Sequence, residues 1–73
     1  MDYKLLIDTA ALAGMIMLEN GAEIYRVEET IDYMLKTSGL KTTQAFVVST
    51  GFMISLDDPS IDDLYEIGVV CSV

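Results

Sequence analysis

Asn20-Gly21-Ala22-Glu23-Ile24-Tyr25-Arg26-Val27-Glu28-Glu29-Thr30 stops one helix and starts another. Asn and Gly close helices because they tolerate the left-handed backbone, Gly having no Cβ to clash. Asn20 followed three residues later by Glu23 also fits a capping box for the helix that comes next. Two helices joined within two or three residues make an αα-hairpin. The same stretch carries Arg26, the chain's only arginine.

Outward from this junction, the pattern predicts a first helix over residues 3–19 and a second over 22–38. Leu5, Leu12, Ile16 and Glu19 step by helical spacings, with Leu6, Ala13 and Met17 alongside, and read as the stripe of the first helix. Met15 and Leu18 add apolar surface on its other faces, so more than one side is expected to be covered. Ala10, Ala11, Ala13 and Gly14 would let a neighbour approach closely, which offsets the roughly 1 kcal/mol that a mid-helix Gly costs. In the second helix Ile24, Val27, Ile31, Met34 and Leu35 form the core stripe. Asp32 and Lys36 are spaced to pair, and Gly39 is a natural stop.

Beyond Gly39 the period changes to two. Residues 42–49 and 52–57 read as strands, the first centred on Phe46-Val47-Val48, the second with Phe52, Ile54 and Leu56 on one face. The short Ser49-Thr50-Gly51 connection makes them an antiparallel hairpin. Tyr65, Ile67, Val69 and Cys71 alternate with other residues and give a third strand over 65–72. The expected fold is α+β, one small domain over residues 1–73: an N-terminal αα-hairpin packed on a two- or three-stranded antiparallel sheet.

Composition narrows the function. The net charge of −8 argues against nucleic acid and anionic membrane surfaces. No apolar run approaches the roughly 18 residues that span a bilayer, and the start is a poor secretory signal, which places the chain in the cytoplasm. One cysteine, Cys71, and no histidine argue against a zinc site or internal disulfide. A chain of 73 residues that is 52% hydrophobic and has no staple is expected to form a homo-oligomer, a dimer first of all, with open strand edges pairing between copies.

Glu23, Arg26 and Glu29 are the candidate ligand site. Arg26 would hold a carboxylate with forked bonds, and a glutamate would hold an ammonium, as a zwitterion requires. The plainer reading is a solvated helix face with surface ion pairs of about 0–1 kcal/mol each. Asp57, Asp58, Asp62 and Asp63 could suggest calcium, but the spacing misses the EF-hand pattern, and a solvated turn is favoured. Glu28 and Glu29 diverge by about 100° on a helix, so they do not form a catalytic pair. No nucleophile stands beside a base, and neither catalysis nor a cofactor is expected. The methionines read as core filler.

Leu18-Glu19-Asn20-Gly21-Ala22-Glu23 and Arg26-Val27-Glu28-Glu29-Thr30, then Phe46-Val47-Val48-Ser49-Thr50-Gly51 and Ile54-Ser55-Leu56, resemble the N-terminal domain of the threonine/serine exporter family. By this resemblance Gly21, Glu23, Val27 and Glu28 fall on recurring positions of the helical hairpin, and Ser49, Thr50 and Ile54 on those of the strand pair. The family's members are membrane proteins in which a soluble N-terminal portion precedes transmembrane helices, and they are associated with export of small amino acids or dicarboxylates. The resemblance therefore implies a soluble N-terminal fragment of an exporter, truncated before the spans. It would act in assembly or gating with the membrane part and would not transport by itself. The alternative is an amino-acid or carboxylate sensor that works as a homo-oligomer.

Overall fold

Asp2 opens the first helix by accepting, on its side-chain Oδ1, the backbone N–H of Leu5 at 3.0 Å. From there a computed structural model, describing residues 2–61 and 63–71, follows the chain through α1 (Tyr3–Glu19), α2 (Ile24–Lys36), β1 (Thr43–Val48), β2 (Gly51–Leu56) and β3 (Tyr65–Val70). The strands form one antiparallel sheet in the order β1-β2-β3. Both helices lie on one face of it, with α2 against β1 and α1 against β2 and β3. The α+β architecture is the one the residue pattern predicts. The last position of the predicted third strand, Ser72, lies outside the described residues.

The junction is resolved atom by atom. Gly21 takes φ +82°. The Ala22 N–H donates to the Met17 carbonyl at 3.0 Å and the Gly21 N–H to the Leu18 carbonyl at 3.2 Å, the bond pair of a Schellman closure. Asn20 turns back and donates through Nδ2 to the Ile16 carbonyl at 2.7 Å, so its side chain serves α1. The expected capping box therefore does not form: Glu23 is itself the N-cap of α2 and makes no side-chain cap bond. Because the closure uses the Ala22 N–H, α2 begins at Ile24 and not at Ala22.

The stripe of α1 is a second correction. Leu5, Leu12 and Ile16 are 62%, 53% and 52% exposed, and the buried line is Ile7, Ala10, Ala11, Gly14 and Leu18. Size decides between the two. A Cβ placed on Gly14 would sit 2.7 Å from Ile31 Cδ1 and 3.1 Å from Phe52 Cζ, so α2 and β2 reach α1 only over its small residues. A face carrying Leu5, Leu12 and Ile16 could not come that close.

The other elements bury the faces their patterns predict. Val27, Ile31 and Leu35 of α2 are buried, Met34 packs at the margin, and Ile24 is more exposed than its place in the stripe suggests. Phe52, Ile54 and Leu56 of β2 face the helices and pair with Val47, Ala45 and Thr43 of β1. Ile67 and Val69 of β3 pack against this core, and Cys71 is buried as a free thiol. The β1–β2 connection is two residues, Ser49 and Thr50, because Val48 pairs directly with Gly51. Asp32 and Lys36 pair at 2.8 Å, as do Lys4 and Asp8 at 2.9 Å; all four are too exposed for the pairs to add much stability.

Candidate functional site

Charge gathers where α2 overhangs the open edge of β1. Val27 and Ile31 turn inward, so the helical period carries Glu28, Glu29 and Asp32 sideways and outward. These three line a depression of about 590 Å³ that runs along β1 from Thr43 to Phe46, with Glu66 of β3 at its far side. Among the described residues no basic side chain lines it. Glu28 and Glu29, which diverge as sequence neighbours must, thus border one cavity.

Of the three residues predicted to bind a zwitterion, only Glu29 borders this depression. Glu23 caps α2, and Arg26 is exposed in its first turn. Among the described residues Arg26 makes no ion pair with Glu23 or Glu29; its guanidinium carbon lies 5.7 Å from the centroid of the Tyr25 ring. Gly21 and Val27 have plain structural tasks, closing α1 and filling the core. Glu28 is a cavity wall, and Ser49 and Thr50 form the hairpin turn, where the Thr50 carbonyl accepts the Cys71 N–H at 2.8 Å.

Asp58 has a role that composition did not disclose. Its Oδ2 accepts the backbone N–H groups of Lys41 at 3.0 Å and Thr42 at 3.1 Å, and its Oδ1 accepts that of Ser60 at 2.9 Å. The Ser60 N–H and hydroxyl, then the Lys41 and Thr42 N–H groups, hold this carboxyl below the usual carboxylate range. One side chain thereby ties the loop entering β1 to the turn leaving β2. The signal in the sequence is Asp58-Pro59-Ser60, an Asx-turn composition, but its partners lie 16 and 17 residues away. Asp62 of the same acidic turn lies outside the described residues. Among the described residues no group of His, Cys, Asp or Glu side chains is arranged to hold a metal ion.

Among the described residues one buried side-chain polar atom lacks a partner: Thr43 Oγ1, on a residue that lines the depression. On the outer face of the sheet Phe46 and Met53, 69% and 53% exposed, pair across β1 and β2, and the row beside them is the polar Gln44, Ser55 and Glu66.

Among the described residues no helix is long and apolar enough to cross a membrane. A family model described as "Putative threonine/serine exporter" matches residues 8–72. No curated protein and no solved structure matches the chain.

Proposed function

Because the chain belongs to the threonine/serine exporter family across residues 8–72, we propose that it serves the assembly or gating of an amino-acid exporter and does not itself carry the solute. The observation that supports this reading is the outward line of α1. Leu5, Leu12 and Ile16 stand more than half exposed along one face of a helix that has no other task there. Apolar side chains lined up at helical spacing and left in water mark a contact surface.

The contact proposed is with a second copy, α1 against α1 in antiparallel sense. A two-fold axis near residues 11 and 12 would place Lys4 of each copy beside Glu19 of the other, while Leu5, Leu12 and Ile16 meet between the helices. Such a dimer would work with the membrane-spanning part of the exporter, on the cytoplasmic side. The free thiol of Cys71 suits that reducing compartment.

Replacing Leu5, Leu12 and Ile16 together by Ser tests the surface. All three side chains are more than half exposed, so the variant is expected to keep a cooperative fold, with a Tm lowered by the weaker helix propensity of Ser and by loss of the dimer contact. Sedimentation equilibrium should find the parent dimeric and the variant monomeric. A parent that stays monomeric at high concentration, or a variant that dimerises equally well, contradicts the proposed contact.

A further inference from the structure

The ladder bond from the Asp57 N–H to the Thr42 carbonyl, 3.2 Å, sets which backbone groups of β1 are used. In an antiparallel pair the bonded residues alternate. Thr42, Gln44 and Phe46 therefore bond toward β2, and Thr43, Ala45 and Val47 present their N–H and C=O groups to the open edge. A strand added there would have two unlike sides. Its side chains on the helix side would stand beside Glu28, Glu29 and Asp32, and those on the other side beside Gln44 and Phe46, with Met53 behind Phe46 on β2. Thr43 Oγ1, buried and without a partner, lies at the same edge.

We propose that the open edge of β1 binds an extended segment of a partner protein in which Lys or Arg alternates with apolar residues, as a fourth strand of the sheet. Backbone bonds at Thr43, Ala45 and Val47 hold the segment, the α2 carboxylates select its basic side, and Phe46 with Met53 takes its apolar side. A second copy of this chain does not fit the edge. Pairing β1 with β1 in one continuous sheet would crowd the Glu28, Glu29 and Asp32 groups of two copies, six carboxylates against the two Lys36 ammonium groups already paired with Asp32. The edge pairing between copies anticipated from the sequence is therefore replaced here by a basic partner. The inference adds a contact to the assembly reading without resting on it, and its failure leaves the α1 surface to its own test.

The probe is a fluorescein-labelled octapeptide of alternating lysine and valine, titrated against the whole chain at low salt and followed by anisotropy, with alternating glutamate and valine as control. The lysine peptide is expected to saturate and the glutamate peptide not to bind. The combined E28Q, E29Q and D32N variant should weaken the lysine peptide about tenfold or more, as should a rise to high salt. Hydrogen exchange on the unmodified chain provides a second reading. Bound peptide should slow the amides of Thr43, Ala45 and Val47 about tenfold or more, while those of Gln44 and Phe46, already bonded to β2, change little. Absence of saturation, or binding indifferent to the three substitutions, overturns the proposal. So does binding without protection at those three amides, which would be charge attraction alone. Protection of the same amides in the free chain, rising with protein concentration, would assign the edge to a second copy and also overturn it.

Discussion

Ile31→Asp is expected to abolish the fold. Ile31 is fully buried where the layers meet, with its Cδ1 against Gly14 of α1 and its neighbours Val27 and Leu35 also buried. Among the described residues no polar or charged residue is buried, so no cation stands in the core to receive a carboxylate. An uncompensated buried charge costs about 3–5 kcal/mol, and losing the Ile side chain costs about 2–5 kcal/mol more. A domain of this length has a total stability of roughly 4–11 kcal/mol at the usual range per residue. Far-UV circular dichroism should therefore show loss of the cooperative transition, whereas Ile31→Val, at about 0.5–1.5 kcal/mol, should keep it. A cooperative melt for Ile31→Asp within a few degrees of the parent would mean that another face of α2 is buried.

Gly51→Ala is expected to cost about 2–3 kcal/mol, a lowering of Tm by about 10–20 °C for a domain this small. The reason is local. Gly51 begins β2 opposite Val70, and a methyl group on it would strike the Val69 carbonyl oxygen. That atom belongs to the backbone of β3, so no rotamer change relieves the clash. The strands must part beside the Cys71-to-Thr50 bond. Gly68 is the internal comparison. Nothing lies within 4 Å of a Cβ at that position, so Gly68→Ala should leave Tm nearly unchanged. Equal melting of the two variants would show that β2 and β3 do not approach as described.

These two sites differ in how far the sequence disclosed them. Ile31 sits in a stripe flanked by charged residues, so the periodicity of α2 marks its buried face directly. The alternation in β2 and β3 does the same for Phe52, Ile54, Leu56, Ile67 and Val69. Gly51 carries no such mark, because its constraint is the carbonyl of Val69, 18 positions later on β3. In α1 apolar residues surround the helix, and two stripes compete. Counting hydrophobic residues favours Leu5, Leu12 and Ile16, but Ala10, Ala11 and Gly14 admit α2 and β2, and closeness of approach prevails. The face that hydropathy selects is thus the one left outside.

Of the ligand residues singled out from the sequence, Glu23, Arg26 and Glu29, only Glu29 borders the depression. Glu28, Glu29 and Asp32 stand out as carboxylates on a helix, yet only the packing of α2 over β1 makes them the wall of a strand edge. Arg26 attracts notice as the only arginine, but its place in the first turn of α2 is set by where the Schellman closure ends. Asp58 reads as one of several turn acids until the loop before β1 folds back onto it.

Threonine efflux tests the central claim most directly. Cells lacking the gene that encodes this chain would be loaded with a threonine-containing dipeptide, and threonine appearing outside would be followed over time. Deletion is predicted to slow efflux. The parent chain should restore it, and the chain carrying Leu5→Ser, Leu12→Ser and Ile16→Ser should not, although it still folds cooperatively. Efflux that is the same with and without the gene would contradict a role in amino-acid export, and full restoration by the triple variant would contradict action through the exposed face of α1.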